Sequence, residues 1–127
     1  MVDGRILLVK RLTEPEAGCW GLPGGKVDLF ESVADATERE IREELGIKIS
    51  AKSLLCVADQ IDRDRGTHWF APIYLVCEFT GDPSIVEPDK HGGMAWFPLN
   101  DAPSSLTQAT VVALGVLSGR AASSVER

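Results

Sequence analysis

The chain has 127 residues, 44% of them hydrophobic, and a formal net charge of −6 at pH 7. This length suits one compact domain, and the composition excludes global disorder and a fibrous repeat. The acidic balance argues against an extended nucleic-acid surface, which needs clustered lysine and arginine. No apolar run approaches the roughly 20 residues that cross a bilayer, so we expect no membrane partner.

Strands surround and precede the helices in the predicted order of elements. Arg5 to Arg11 has the aliphatic pattern of a strand that follows a turn at Asp3-Gly4, and Gly21 to Gly25 is a glycine-dense bend that lets backbone approach a ligand. Ser32 to Leu45 is a helix with Ser32 as its N-cap, ended by Gly46. The later predicted elements are strands at about Ser53 to Gln60, His68 to Phe79 and Met94 to Pro98, a loop at Gly81 to Gly93 and a helix at Ser105 to Ser118.

This order predicts a mixed α/β or α+β sandwich. We expect a single domain at residues 1–119 and a frayed tail at 120–127, which is small and polar. Three cysteines, Cys19, Cys56 and Cys77, are odd in number and lack CxxC spacing. They indicate reduced, buried thiols and a cytoplasmic protein.

The first helix separates into facets when its residues are placed at 100° intervals. We expect an apolar stripe of Ala34, Ile41 and Leu45, and ion pairs of Asp35 with Arg39 and of Glu38 with Arg42. Glu40, Glu43 and Glu44 share another facet, where like charges repel. Mg²⁺ takes oxygen ligands and binds carboxylates together with substrate phosphates. By itself the cluster leaves two alternatives open, a metal site and a solvated acidic face.

The residues before the helix favour the metal site. Gly25, Glu31 and residues 39–47 match every specified position of the pattern G-x5-E-x7-R-E-U-x-E-E-x-G-U, in which U is aliphatic. Ordinary residue frequencies give a chance match on the order of 10⁻⁹ per starting site. The chain therefore resembles the Nudix hydrolases, whose box would occupy residues 25–47. The similarity extends to Ile6–Arg11, Trp20–Gly25 and Ala95–Leu99.

The resemblance implies an α/β/α sandwich with a mixed β-sheet. It also implies hydrolysis of a nucleoside diphosphate linked to a group X, with Mg²⁺ or Mn²⁺ as cofactor. Arg39 would orient a glutamate, and Glu31 would support the loop or bind an additional metal. The implied metal ligands are Glu40, Glu43, Glu44 and the main-chain carbonyl of Gly24.

Two features depart from the family's usual sequence pattern. Phe30 stands where the family often has glycine, and because a Phe adopts positive φ only at a cost, we expect a different path before Glu31. The family fold also has a strand before Asp3-Gly4, where only Met1 and Val2 stand in this sequence.

Substrate contacts are expected outside the box. Arg11 and Lys26 are candidates for phosphate contact, and Trp20, Trp69 and Phe70 are candidates for stacking on a base. The alternatives to substrate contact are a solvated charge and ordinary packing.

The stretch from Glu87 to Trp96 resembles the corresponding loop of Nudix enzymes that act on nucleoside triphosphates. Glu87, Asp89 and His91 are three alternatives for a loop base or an extra metal ligand. His91 also stands where GDP-mannose hydrolases carry a histidine base, but those enzymes lack the paired glutamates that are present here as Glu43 and Glu44.

We therefore expect a (deoxy)nucleoside triphosphate that is cleaved to a monophosphate and pyrophosphate. An ADP-ribose or nucleotide-sugar pyrophosphatase is the alternative within the enzyme class. A non-catalytic, nucleotide-sensing module is the alternative from another class, although such a module would be expected to have lost box carboxylates. A homodimer stays open as an alternative to a monomer.

Overall fold

The computed structural model describes residues 1–125, with side chains as far as residue 119. In chain order the elements are β1 (Arg5–Arg11), β2 (Trp20–Gly21), α1 (Val33–Leu45), β3 (Ser53–Asp62), β4 (Thr67–Leu75), β5 (His91–Pro98) and α2 (Gln108–Val125). The expected α+β class is confirmed. None of the helices in the described range is long and apolar enough to cross a membrane.

Strand β1 is central to the fold. It pairs antiparallel with β2 on one side and with β5 on the other, while β3 and β4 form a separate antiparallel hairpin. Parallel pairing among the described residues is confined to an isolated bridge between Trp20 and Leu106. The mixed character that the resemblance implies is therefore limited to that bridge.

Both faces of β1 are buried, because alternate side chains of a strand point to opposite sides. One face packs against α2 and the β3–β4 hairpin, and the other packs against α1. The first cluster contains Ile6, Leu8, Leu55, Ala58, Ile73, Ala109, Ala113, Leu114 and Leu117. The second contains Leu7, Val9, Ile41, Leu45, Ile47 and Ile49. The α/β/α layering follows from these two clusters.

Helix α1 begins and ends as the sequence predicts. The Ser32 hydroxyl accepts a hydrogen bond from the backbone N–H of Asp35 at 3.1 Å, and Gly46 adopts a left-handed conformation with φ of 71°. Ile41 and Leu45 are buried as expected. The expected burial of Ala34 is wrong, since Ala34 is half-buried and Ala36 is buried instead.

Three predicted boundaries are wrong. Helix α2 continues past Ser118 to Val125, and of the predicted frayed tail residues 126 and 127 lie outside the described range. Strand β4 ends at Leu75 because the chain then turns inward, and Phe79 packs against the α1-side cluster. Strand β5 begins at His91, inside the predicted loop, because it pairs there with Arg11.

The turn before β1 is confirmed. Asp3 and Gly4 have φ of 52° and 73°, and Val2 and Arg5 exchange two backbone hydrogen bonds of 3.0 Å across them. Positive φ at both central residues is the signature of a type I′ hairpin turn.

Two further expectations are wrong. Phe30 does adopt a left-handed conformation, with φ of 64°, and its side chain is 98% exposed. The backbone at Phe30 therefore has the left-handed conformation that favours glycine, although a side chain makes this conformation less favourable. Of the three thiols expected to be buried, Cys77 is exposed and the other two are half-buried.

Candidate active site

The glycine bend lies directly against α1. A Cβ atom added to Gly25 would overlap the carboxylate of Glu40, so this position accommodates only glycine while Glu40 keeps its place. Gly24 has φ of 148°, a conformation that favours glycine, and its backbone N–H donates to Glu44 Oε2 at 3.0 Å. The bend and the helix are thus joined through two box carboxylates.

Arg39 is the centre of the polar network. Its Nε and Nη2 donate to the two carboxylate oxygens of Glu31 at 2.8 and 3.0 Å, a bidentate pair. Its Nη1 donates to Glu40 Oε1 at 2.8 Å and to Glu43 Oε2 at 3.1 Å, and Nη2 also donates to the carbonyl of Lys26 at 2.9 Å. A guanidinium can serve so many acceptors because its five N–H donors form a rigid fork.

This network replaces the ion pairs predicted from helix spacing. Arg39 points toward the loop, so the expected pair with Asp35 is wrong. Glu38 accepts a hydrogen bond from the backbone N–H of Ala51 at 3.0 Å, so its expected pair with Arg42 is also wrong. Arg39 instead forms an ion pair with Glu43 at 3.1 Å, four residues further along the helix.

Hydrogen bonding within the network stabilises the charged forms of Glu31 and Arg39. The bond to Arg39 is the main cause that lowers the pKa of Glu31, and the N–H of Asp28 adds to it. The same bond, with one to Glu40, raises the pKa of Arg39. Glu31 and Arg39 therefore carry full opposite charges at neutral pH.

Glu44 differs from its neighbours because it is buried. Its residue is 7% exposed, and burial raises its pKa from 4.5 to about 7, although the Gly24 N–H opposes the change and the charges of Glu40 and Glu87 add to it. A carboxylate taken out of water is costly unless a cation or hydrogen bonds compensate it. Among the described side chains no lysine or arginine forms an ion pair with Glu44.

The donor set suits a hard divalent cation. Three carboxylates from one helix supply oxygen ligands, and Glu44 would regain its charged form beside such an ion. Within the part of the chain that has been described, however, no group of three or more acidic, histidine or cysteine side chains already surrounds one point. Arg39 holds Glu40 and Glu43, and the Gly24 N–H holds Glu44.

The loop before β5 places two of its three candidate residues, Glu87 and His91, close enough to Glu44 to act on it. His91 is 6% exposed, and its Nε2 lies 4.0 Å from Glu44 Oε2. Burial lowers the pKa of His91, so this imidazole is neutral at pH 7. Glu87 forms an ion pair with Lys90 at 3.2 Å, and Asp89 is exposed.

The candidate substrate residues lie in different surroundings. Lys26 Nζ lies 5.0 Å from the ring centre of Trp69, which is half-exposed. Arg11 Nε donates to the carbonyl of Pro15 at 2.8 Å. Trp20 meets Phe97 edge to face, with ring centres 5.0 Å apart, and packs against the α2-side core. The described contacts of Trp20 are those of a packing residue.

Asp28 is a member of the network that the sequence analysis missed. Its backbone N–H donates to Glu31 Oε1 at 3.1 Å, and its carboxylate lies 3.5 Å from Arg39 Nη2. The spacing Asp-x-x-Glu resembles a capping box, in which a glutamate side chain returns to a backbone N–H three residues earlier. That spacing was the available signal.

Comparison with known proteins agrees with this geometry. A model of the NUDIX domain matches residues 1–114. A crystal structure of a MutT NUDIX hydrolase from Burkholderia pseudomallei is 58% identical, with a TM-score of 0.87 over 89% of this chain and 88% of the other.

Two curated relatives differ in the substrate that their names give. An ADP-ribose pyrophosphatase from Methanocaldococcus jannaschii is 38% identical over 101 residues, which are 80% of this chain and 59% of that protein. A CTP pyrophosphohydrolase from Escherichia coli is 34% identical over 95 residues, 74% of this chain and 67% of that protein. The chain thus spans about three fifths to two thirds of the length of the curated relatives that it matches.

Proposed function

Because the chain belongs to the NUDIX domain family, we propose that it hydrolyses the pyrophosphate linkage of a nucleoside diphosphate linked to a group X. The observation that carries this proposal is the set of box carboxylates, Glu40, Glu43 and Glu44, which are all present. Two of them, Glu40 and Glu44, meet the glycine bend. The substrate we propose first is a (deoxy)nucleoside triphosphate, cleaved to a monophosphate and pyrophosphate.

The cofactor we propose is Mg²⁺ or Mn²⁺, held by Glu40, Glu43, Glu44 and the carbonyl of Gly24. The buried carboxylate of Glu44, which forms no ion pair with a described lysine or arginine, supports this assignment. When bound, such an ion neutralises charge on phosphate oxygens and lowers the pKa of an attacking water.

Arg39 is a positioning residue in this proposal. Its guanidinium holds Glu31, Glu40 and Glu43 at hydrogen-bond distance, so it fixes the carboxylates before substrate arrives. Phosphoryl transfer depends mainly on positioning and charge stabilisation, which makes a preformed network valuable. Glu31 ties the loop to the helix through the same guanidinium.

Lys26 and Trp69 are the substrate contacts that the geometry supports best. Lys26 follows the glycine bend, where its ammonium group can meet phosphate, and the Trp69 ring beside it is 48% exposed. An exposed aromatic face stacks on a nucleobase with little dependence on base identity. We assign Arg11 a second phosphate contact, since its charge acts on both Glu44 and His91.

ADP-ribose or a nucleotide sugar is the second candidate substrate class. It is supported by the archaeal relative, whose name specifies ADP-ribose. The same carboxylates would serve either substrate, because both contain a pyrophosphate linkage. A non-catalytic sensing module has no comparable support, since every box carboxylate is retained.

A substrate panel tests the proposal. Purified protein would be incubated with Mg²⁺, Mn²⁺ or EDTA and with nucleoside triphosphates, ADP-ribose, nucleotide sugars and dinucleoside polyphosphates. We expect a nucleotide monophosphate among the products, formed only with metal, and ¹⁸O from labelled water on phosphorus. A Glu40→Gln variant purified in the same way should lose this activity, which controls for contaminating phosphatases.

The panel also separates the candidates. Pyrophosphate as the co-product supports the triphosphate substrate, whereas ribose 5-phosphate or a sugar phosphate supports the second class. If no member of the panel is hydrolysed while a nucleotide binds tightly in the presence of metal, the sensing module replaces the enzyme.

A further inference from the structure

His91 has an environment that core packing does not explain. The residue is 6% exposed, and its Nδ1 is a buried nitrogen that has no hydrogen-bond partner among the described residues. Its other nitrogen, Nε2, lies 4.0 Å from Glu44 Oε2. Buried polar groups are nearly always paired, so an imidazole with one orphaned nitrogen and the other facing a carboxylate requires an explanation.

The surroundings of the ring select one tautomer. A neutral imidazole has one N–H donor and one lone pair. A proton on Nδ1 would bury a donor that meets no acceptor among the described residues. It would also turn the lone pair of Nε2 toward Glu44, which is repulsive when that carboxylate is charged. A proton on Nε2 instead directs an N–H at that carboxylate. The Nε2–H tautomer is therefore favoured.

Both available donors face the same oxygen of Glu44. The Gly24 N–H lies 3.0 Å from Oε2, and His91 Nε2 lies 4.0 Å from it, beyond hydrogen-bond distance but close enough for attraction at a buried site. No described residue donates a hydrogen bond to the second oxygen, Oε1. The arrangement holds one oxygen and leaves the other available as a ligand.

The strand pairing is irregular beside His91. His91 pairs with Arg11, and the register of β1 and β5 shifts between Lys10 and Arg11. Such bulges occur beside active sites, where they redirect a side chain. The His91 N–H also donates to the carbonyl of Glu87 at 3.1 Å, which fixes the first residue of the strand.

We propose that His91 is a positioning residue that orients the Glu44 carboxylate through its Nε2–H. The catalytic consequence rests on the function proposed above, whereas the tautomer and the contact with Glu44 do not. Partners that orient a metal ligand typically change metal affinity or activity by about 10- to 100-fold when they are removed.

Nitrogen NMR tests the tautomer directly, because the chain contains only two histidines. The second, His68, is an internal control, with Nε2 2.8 Å from Asp59 Oδ1 on the exposed hairpin. Long-range ¹H–¹⁵N spectra of the labelled protein should show His91 as the Nε2–H tautomer without metal and with Mg²⁺. Its signals should shift on Mg²⁺ addition while those of His68 stay in place.

Two outcomes of this experiment would overturn the proposal. An Nδ1–H tautomer without metal would show that Nε2 carries no N–H to direct at Glu44. A change to the Nδ1–H tautomer on metal addition would show that Nε2 is itself a ligand. Neither outcome depends on whether the protein hydrolyses a nucleotide.

Matched variants test the consequence. A glutamine amide can place its N–H near the position of Nε2, whereas an asparagine amide reaches only the position of Nδ1. We expect His91→Gln to keep Mg²⁺ affinity and kcat within about 3-fold, and His91→Asn to lose about 10- to 100-fold. The control His68→Gln should equal the parent protein.

Mg²⁺ affinity is measured by calorimetry on protein that NMR shows to be folded. Equal losses in the glutamine and asparagine variants would mean that the ring merely fills space, and the proposal would fail. If the parent protein binds Mg²⁺ but hydrolyses nothing, the proposed function fails while the affinity comparison still decides the role of His91.

Discussion

Helices α1 and α2 cover opposite faces of β1, yet they contribute to the protein in different ways. Helix α2 places Ala113, Leu114 and Leu117 in the core, together with other small and apolar side chains. Helix α1 buries Ile41 and Leu45 but also the carboxylate of Glu44. One helix mainly stabilises the fold, and the other also buries a carboxylate, which is unfavourable without compensation. Changes in α1 should therefore affect activity most, and changes in α2 stability.

Glu44→Gln should have the largest effect on activity. It removes the buried carboxylate that we assign to the metal and keeps the side-chain shape, so we expect kcat/KM to fall by roughly 10³-fold, or about 4 kcal/mol. The control is Asp35→Asn, which removes one charge from the exposed face of the same helix. Steady-state kinetics on the best substrate of the panel measure both variants, and equal activities would contradict the metal assignment.

Leu117→Ala should have the largest effect on stability. Its side chain is 7% exposed in the α2-side core, so truncation should cost about 2–4 kcal/mol in the free energy of unfolding. Val111→Ala is the control on the same helix, because Val111 is 55% exposed and should cost less than about 1 kcal/mol. Urea unfolding gives both values, while kcat of the folded protein should be unchanged. A large fall in kcat would show that α2 also shapes the site.

The pH dependence of stability should reveal the buried carboxylate. The pKa of Glu44 is about 7 in the folded protein and 4.5 ordinarily, so the folded state binds the proton more tightly. The metal-free protein should thus lose stability as pH rises from about 4.5 to 7, by up to about 3 kcal/mol.

The Glu44→Gln variant isolates this effect, because it lacks the titrating group. Both proteins are unfolded with urea in EDTA at pH 5 to 8. As pH rises, the free energy of unfolding of the parent should fall relative to that of the variant. Saturating Mg²⁺ should restore the free energy of unfolding of the parent alone. Parallel curves would show that Glu44 is not a buried, uncompensated carboxylate.

Gly25→Ala should separate the site from the fold. The added methyl would displace the Glu40 carboxylate, which is the movable end of a side chain. The free energy of unfolding should therefore change by less than about 1 kcal/mol. Activity should fall about 10- to 100-fold, since a misplacement near 1 Å has a cost of this size. Gly115→Ala is the control, because nothing lies within 4 Å of its added methyl. Full activity of Gly25→Ala would remove Glu40 from the site.

Phe30→Gly should have the smallest effect and the opposite sign. Phe30 has φ of 64° and an exposed side chain, so glycine should relieve backbone strain and stabilise the fold by about 0.5–1 kcal/mol. Leu29→Gly is the matched control, because Leu29 is equally part of the exposed loop, at 83% exposure, and does not have positive φ. The melting temperature Tm should rise for Phe30→Gly and fall for Leu29→Gly. Destabilisation by Phe30→Gly would show that the phenyl ring makes a contact of its own.

The sequence predicted which helices and strands form better than it predicted where each of them begins and ends. Ser32 and Gly46 define both ends of α1 because a cap acts on its own backbone neighbours. The start of β5 at His91 depends instead on the partner strand, which continues to Arg11. The end of β4 depends on where Phe79 can pack. Pairing and packing partners far along the chain leave no local signal.

The site shows the same division. The box spacing alone predicted Glu31, Arg39 and the three helix glutamates as candidate site residues. It did not predict that Arg39 would turn toward the loop and away from Asp35, because a bidentate partially buried pair with Glu31 outweighs an exposed pair along the helix. Nor did it distinguish Trp20, which packs in the core, from Trp69, which is half-exposed.

The sequence by itself determined the family, the fold class and the residues that carry the acidic facet, because box spacing and helix period are local properties. Only the tertiary structure decided which charges are compensated. Glu31 is held by Arg39, whereas Glu44 is buried beside a backbone N–H and a neutral histidine. The reason is physical: burial and hydrogen bonding depend on chain segments that meet in space, and they lower the pKa of Glu31 and raise that of Glu44. The acidic surplus of the sequence thus became a set of distinct carboxylates with different surroundings.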